Sequence, residues 1–385
     1  MSLQKPLYWR LSGFYFFYFA SLGALIPYWG LYLDSLGFSA TDIGSLMAII
    51  MATKVISPNI WGWIADHTGK RMAIVRLGSL LAAMSFVGIF FTEHFWWLAL
   101  VMLCFSFFWN AALPQFEATT FHHLQSETHR YSSIRLWGSI GFILAVWGLG
   151  EVFGEIGVRL LPHILLALFV GIWLSSLFVP EEAAGHLKLE HEPLRKLLLH
   201  PAVIGLLISC FLMQASHGPY YTFYSIYMTE QGYELWVIGA MWAVGVIAEV
   251  LVFLRMHKLV PRYGLKPLLI ASLVLASFRW VLIGLFPQSG LIMFVAQCLH
   301  AASFGIYHAT AIQLIHTYFK GPHQGKGQAL YSSLSFGAGG AVGSFLSGYT
   351  WETIGGSMTF VFSAIASLLA VIVVWRYVQE QELSP

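Results

Sequence analysis

Residues 62–71 read GWIADHTGKR. Apolar runs flank them at 42–64 and 71–91. Each run is close to the ~20 residues that an α-helix needs to cross the ~30 Å hydrocarbon core of a bilayer. Apolar run, short charged turn, apolar run is the pattern of two membrane helices joined by a hairpin. The turn has the residues such a hairpin needs. Gly69 permits a tight reversal, and Gly62 lets two helices approach closely. Asp66 is an acceptor for the end of a neighbouring helix. Lys70 and Arg71 hold the loop on one side of the membrane.

The same rhythm runs through all 385 residues. The chain is 58% hydrophobic and 10% charged, against about 25% charged in an ordinary soluble domain. A single large soluble core is excluded, because too few charges remain to coat it. We predict an all-α polytopic membrane protein with twelve spans, at about 11–33, 42–64, 71–91, 95–121, 132–152, 160–179, 201–228, 236–257, 267–286, 290–316, 327–350 and 356–377. Lys5 and Arg10 precede a first run too long for a signal-peptide core, which predicts an uncleaved first span. With the N-terminus inside, the lysines and arginines fall in or next to the cytoplasm, except Arg159 outside and Lys54 and Arg279 within spans. That asymmetry predicts cytoplasmic N- and C-termini. Cys104, Cys210 and Cys298 lie inside apolar runs and read as packing residues, not as a disulfide framework or a metal site. The longest polar stretch between spans, 180–200, follows six spans and precedes six. It predicts two bundles, 1–179 and 201–385, joined by a cytoplasmic linker with room for a short surface helix.

The 62–71 hairpin, G-x-x-x-D-H-x-G-K-R, resembles the signature hairpin of the major facilitator superfamily and stands where that family has it. The resemblance implies two six-helix bundles around a central cavity, and for Gly62, Asp66, Gly69, Lys70 and Arg71 a conformational latch. The matching stretch of the second half, HKLVPRYGLK at 257–266, keeps the glycine and the basic residues. Pro261 stands where the acid would be, so the latch is expected to be lopsided. The echo also predicts two parallel six-span repeats.

Ionisable groups deep in spans are rare and mark functional sites. Here they are Lys54, Glu117, Arg135, His217, Glu249, Arg279, His300 and His308. Opposite charges among them balance closely enough to predict one water-filled cavity. Arg135–Phe142, RLWGSIGF, resembles the fifth span of the lactose permease group, and Glu117 stands eighteen residues before Arg135, the spacing of that group's substrate-binding acid and arginine. Arg279 stands in the ninth span, where the group also has an arginine. Leu299-His300 resembles the start of its coupling motif, but Ser303 replaces the glutamate that follows there. Closer still is the phenylpropionate permease branch, resembled by residues 134–139, 214–221, 246–250, 278–280 and 299–308.

The residues describe a proton-driven symporter. Glu249 sits mid-span among Val246, Ile247, Val250 and Leu251. Dry surroundings favour its protonated form, and the approach of a cation favours release. Glu249 is therefore expected to carry the proton, Arg279 to trigger its release, and His300, with His308 second to it, to couple the two. Glu117 and Arg135 are expected to form an ion pair that meets the substrate, alongside Trp137, Lys54, His217 and Tyr221. Fixed cations beside aromatic rings favour a small aromatic carboxylate such as a phenylpropionate-like acid. A sugar or nucleoside symporter, or an exporter of the same fold, is the alternative. The exporters' fifth-span signature is not matched, since 138–143 lacks its proline and paired glycine. No nucleotide-binding loop, nucleophile–base motif, metal cluster or signalling domain is legible. Neither an enzyme, a cofactor, a metal nor a nucleic-acid partner is expected, and the chain is expected to act as a monomer in a bacterial inner membrane. The deep glutamate and histidine, without an oxygen-rich cage, favour protons over sodium.

Overall fold

The structure is a computed structural model that describes residues 5–125, 127, 130–181 and 195–380. Among them every regular element is helical. Eleven helices are long and apolar enough to cross a membrane. They are α1 (Lys5–Ser35), α2 (Ala40–Thr68), α3 (Arg71–Phe90), α4 (Phe95–Leu124), α5 (Tyr131–Ile156), α6 (Val158–Leu177), α7 (Pro201–Glu230), α8 (Leu235–Phe253), α9 (Leu265–Leu285), α10 (Gly290–Tyr318) and α12 (Gly356–Tyr377). Between the last two lies α11, a continuous helical stretch at 324–354 where the sequence predicts the eleventh span. Its glycines and serines make it too polar to stand out as a span, but they suit close helix packing.

These helices carry apolar residues all round, as lipid on one side and protein on the other require. Large side chains such as Phe91, Trp96, Leu291 and Trp375 remain exposed. Pro27, Pro58 and Pro114 lie inside α1, α2 and α4. α7 is interrupted at His217, just before Gly218 and Pro219. Two helices widen into π-helical turns, α10 at Ala301–Ile306 and α11 at Ser333–Gly339. α8 stops at Phe253, short of its predicted end. The second hairpin is instead a separate helix, Met256–Tyr263, with Pro261 inside it. The predicted linker falls mostly outside the described residues, at 182–194; within 195–200 only Arg195–Leu198 is helical.

The described residues group into two compact units. The first comprises 5–38, 53–181 and 234–240; the second comprises 39–52, 195–233 and 241–380. In the first, α1 packs on α5 and α6, and α3 packs on α4 and α6. A Cβ at Gly23 would lie 2.7 Å from the Phe142 carbonyl oxygen, so only glycine permits that α1–α5 approach. In the second unit, α12 packs on α7 and α9, and α7 packs on α11.

The 62–71 hairpin forms as the sequence suggests. Gly69 takes a left-handed φ of 67° and donates its N–H to Ala65 at 2.8 Å. Arg71 pairs with Asp66 at 2.8 Å and donates to Gln115 Oε1 at 2.9 Å. The sequence reading missed Glu181, just beyond α6. Its two oxygens accept the Met72 and Ala73 N–H groups at 2.9 Å each, capping α3. Beyond α12, Glu380 accepts the Lys266 N–H at 2.6 Å, capping α9. A carboxylate at a helix N-terminus satisfies orphan donors and complements the helix dipole. The second unit thus obtains an acid for its hairpin from the chain end, not from the hairpin itself.

Candidate substrate and proton sites

In the second unit, the interruption of α7 and the π-turn of α10 bring polar side chains around Arg279 of α9. The arginine is fully buried. Its Nε donates to the Ala296 carbonyl at 2.9 Å. Nη1 meets His300 Nδ1 at 3.1 Å and donates to Ser303 Oγ at 3.1 Å; Nη2 donates to Gln297 Oε1 at 3.3 Å. The Tyr220 ring lies 4.1 Å from the guanidinium carbon, and the Tyr220 hydroxyl donates to Gln297 Oε1 at 2.8 Å. Ser303, where the lactose permease group has its glutamate, is therefore an acceptor for Arg279.

Arginine has no acceptor atom. His300 Nδ1 must accept from Arg279, which leaves the imidazole proton on Nε2. That nitrogen lies 3.5 Å from Glu249 Oε2. Glu249, His300 and Arg279 thus form a chain in which the histidine stands between carboxylate and guanidinium. His300 can take a second proton only if Arg279 lets go. His308 is set apart. Phe304 stacks between it and His300, with ring centroids 5.7 and 5.4 Å away, and His308 Nδ1 meets the Tyr331 hydroxyl at 2.9 Å. His217 is fully buried and spends Nδ1 on the Met213 carbonyl at 2.8 Å, while its Nε2 has no partner among the described residues. Tyr221 stacks on it at 5.6 Å.

In the first unit, Glu117 accepts the Tyr131 hydroxyl at 3.2 Å. No ion pair joins it to Arg135, although the two are close enough to interact electrostatically. The expected pair is thus open, because a tyrosine from the first turn of α5 takes the carboxylate. Arg135 instead stacks on Phe19, 3.6 Å from ring centroid to guanidinium carbon. Trp137 points elsewhere. Its Nε1 donates to the Tyr8 hydroxyl at 3.0 Å and its ring meets Trp9 edge-on at 5.2 Å. Lys54 is half-buried on α2 and has no hydrogen-bond or ion-pair partner among the described residues. Its neighbour Thr53 is engaged with Ser106 and Asn110, both at 2.9 Å. Sequence reasoning missed Tyr131, Phe19 and Gln297. Aromatic and amide side chains in apolar runs carry no signal until their neighbours are known. No cluster able to hold a metal occurs among the described residues.

Residues 8–362 match the model of the MFS_1 like family. The chain is 25% identical over 370 residues to the probable 3-phenylpropionic acid transporter of Escherichia coli K12, covering 95% of this chain and 96% of that one. It is 24% identical to the maltose permease of Geobacillus stearothermophilus, covering 94% and 92%. Its fold matches the crystal structure of the nucleoside transporter NupG with a TM-score of 0.82 at 17% identity, covering 96% and 99%.

Proposed function

The chain belongs to the MFS_1-like family of membrane transporters, and from that premise we propose that it imports a small organic acid together with a proton by alternating access. The observation that carries the proton half of this reading is the buried Glu249–His300–Arg279 chain. Deprotonated Glu249 balances the charge of Arg279 through the neutral imidazole. Protonated Glu249 leaves Arg279 without a mid-span counter-charge in its unit. Uptake and release of one proton therefore change the charge of a dry site by one, which ties protonation to any step sensitive to that charge. Glu249 carries the proton, His300 couples it, and Arg279 drives it off when the imidazole transmits its charge. His308 is an outer member of the path.

Arg135 and Lys54 support the substrate half, since both are cations without an acidic partner in direct contact. Such cations suit a carboxylate. The likeness to a probable 3-phenylpropionic acid transporter favours an aromatic one. Glu117, Trp137, His217 and Tyr221 complete the proposed substrate set, and Gly62, Asp66, Gly69, Lys70 and Arg71 the latch. The working halves are 1–179 and 201–385, in a monomer of the inner membrane with cytoplasmic termini. Likenesses to a nucleoside transporter and a maltose permease favour a neutral polar substrate as the second reading.

The deciding experiment is uptake into proteoliposomes under an imposed inward pH gradient, with 3-phenylpropionate, maltose and uridine offered in parallel. Accumulation of the acid, abolished in Glu249→Gln while equilibrium exchange persists, is expected. Accumulation of maltose or uridine instead would replace the substrate. Gradient-driven uptake by the Gln variant would remove Glu249 from its role.

A further inference from the structure

Arg135 lies half-buried in a membrane helix and donates no hydrogen bond among the described residues. An acid, Glu117, is within electrostatic range, so the lack of a pair needs a cause. Three neighbours supply it. Tyr131, one turn before Arg135 on α5, donates its hydroxyl to Glu117 Oε1 at 3.2 Å and draws the carboxylate to itself. Phe19 of α1 takes one face of the guanidinium at 3.6 Å, with the Tyr15 ring at 5.7 Å. Gly138 leaves the space that the guanidinium fills, for a Cβ there would meet Arg135 Nη1 at 2.6 Å and the Phe19 ring at 2.8 Å.

Stacking uses the face of a guanidinium and leaves its N–H edges available. Those edges form a planar fork that fits the two oxygens of a carboxylate. A closed Glu117–Arg135 pair would offer acceptors and donors together, a surface suited to hydroxyl groups. Held apart, the same residues offer an unneutralised cation. An isolated cation in a partly dry site is costly, and an anionic ligand relieves that cost.

We infer that Tyr131 is a specificity-determining residue that holds Glu117 off Arg135, so that Arg135, seated on Phe19 and Gly138, serves as a clamp for a planar carboxylate. The inference rests on the reading that Arg135 meets the substrate. Removing the Tyr131 hydroxyl frees Glu117 to close on Arg135 and compete with the ligand. The ring of Tyr131 stacks on Phe121 at 4.4 Å, and phenylalanine keeps that stack, so Tyr131→Phe should fold.

The test uses the full chain in proteoliposomes and two readouts. The first is modification of Arg135 by phenylglyoxal, followed by mass spectrometry, which needs no substrate. Wild type should be modified, Tyr131→Phe protected, and Tyr131→Phe/Glu117→Gln modified again, because a neutral amide cannot form the ion pair. The second is the KM for 3-phenylpropionate exchange. Tyr131→Phe should raise it about tenfold, since a charge-assisted pair competes directly with the ligand, with the maximal rate nearly unchanged. The added Glu117→Gln should lower it again relative to Tyr131→Phe alone. Labelling that Tyr131→Phe leaves unchanged, or protection that Glu117→Gln does not reverse, would overturn the role of Tyr131. The expected labelling without exchange of 3-phenylpropionate by wild type would keep the open guanidinium and overturn the carboxylate as its ligand.

Discussion

Each unit carries an arginine inside a membrane-spanning helix, and the two are housed in opposite ways. Arg279 is fully buried, with four acceptors around it and a carboxylate one histidine away. Arg135 is half-buried, has a ring beneath it and donates no hydrogen bond among the described residues. Lys54, in the same unit as Arg135, is likewise unpartnered among them. A cation whose donors are satisfied by protein is a fixed charge in an internal circuit. One whose donors are unmet is a charge in waiting for something that comes from outside. Under the proposed function, proton handling falls to the second unit and anion recognition to the first.

Replacing each arginine by methionine tests that contrast most severely. Arg279→Met strands Glu249 without its counter-charge, takes from Ser303 its Arg279 donor and leaves Gln297 Oε1 with the Tyr220 hydroxyl alone. Loss of one member of a buried, charge-coupled set costs ~3–5 kcal/mol, so the purified variant should melt far below wild type. Arg135→Met removes no protein hydrogen bond and should stay within ~0.5 kcal/mol of wild-type stability, while weakening carboxylate uptake. Thermal melts followed by tryptophan fluorescence measure both. Equal losses of stability would erase the distinction between the two housings.

A finer test stays within the first unit. Arg135→Lys keeps the charge but loses the planar fork, and should raise the KM for a carboxylate about tenfold, the loss of one good hydrogen bond of ~1.4 kcal/mol. Lys54→Gln should raise it less, about threefold, because an ammonium on a flexible stem acts as a point charge. Neither change should alter uptake of a neutral analogue such as 3-phenylpropanamide. Exchange assays across substrate concentration separate the two. A larger effect from Lys54 would make it the principal anion site and Arg135 its auxiliary.

Much of this arrangement could be read from the sequence, because a membrane makes charges conspicuous. Glu249, Arg279 and His300 were legible as a set since each is expensive inside an apolar run, and the structure brings them into one chain. The eleventh helix was legible by its place and its small residues, although its composition hides it from a search for apolar spans. The state of the Glu117–Arg135 pair was not legible. Spacing shows that two charges share a neighbourhood, whereas Tyr131 and Phe19, which decide whether they touch, look like any other aromatic residue in a span. The acid that serves the second hairpin was missed for a similar reason. Pro261 removes the acid from its local position in the hairpin, and its replacement, Glu380, lies more than a hundred residues further along the chain.

That replacement gives the mildest comparison between the units. Phe178-Val179-Pro180-Glu181 and Tyr377-Val378-Gln379-Glu380 close the two halves with the same spacing of valine and glutamate. Val179 and Val378 are both fully buried, and each glutamate caps the third helix of its own half. The caps differ in their surroundings. Glu181 accepts two N–H groups, and its neighbour Val179 accepts from Arg76 at 2.6 Å. Glu380 accepts the Lys266 N–H, while Lys266 also donates its Nζ to the Trp375 carbonyl at 3.0 Å. Glutamine at either position keeps an acceptor and loses the charge that opposes the helix dipole, a cost of ~0.3–1 kcal/mol. Glu181→Gln should therefore lower the melting temperature slightly more than Glu380→Gln, and raising the salt concentration should shrink both differences by screening the charge. Equal, salt-independent shifts would mean that the carboxylates act only as hydrogen-bond acceptors. The repeated V-x-E would then be a packing feature of the ends of the two halves, and the second hairpin would be left without the electrostatic counterpart of Asp66.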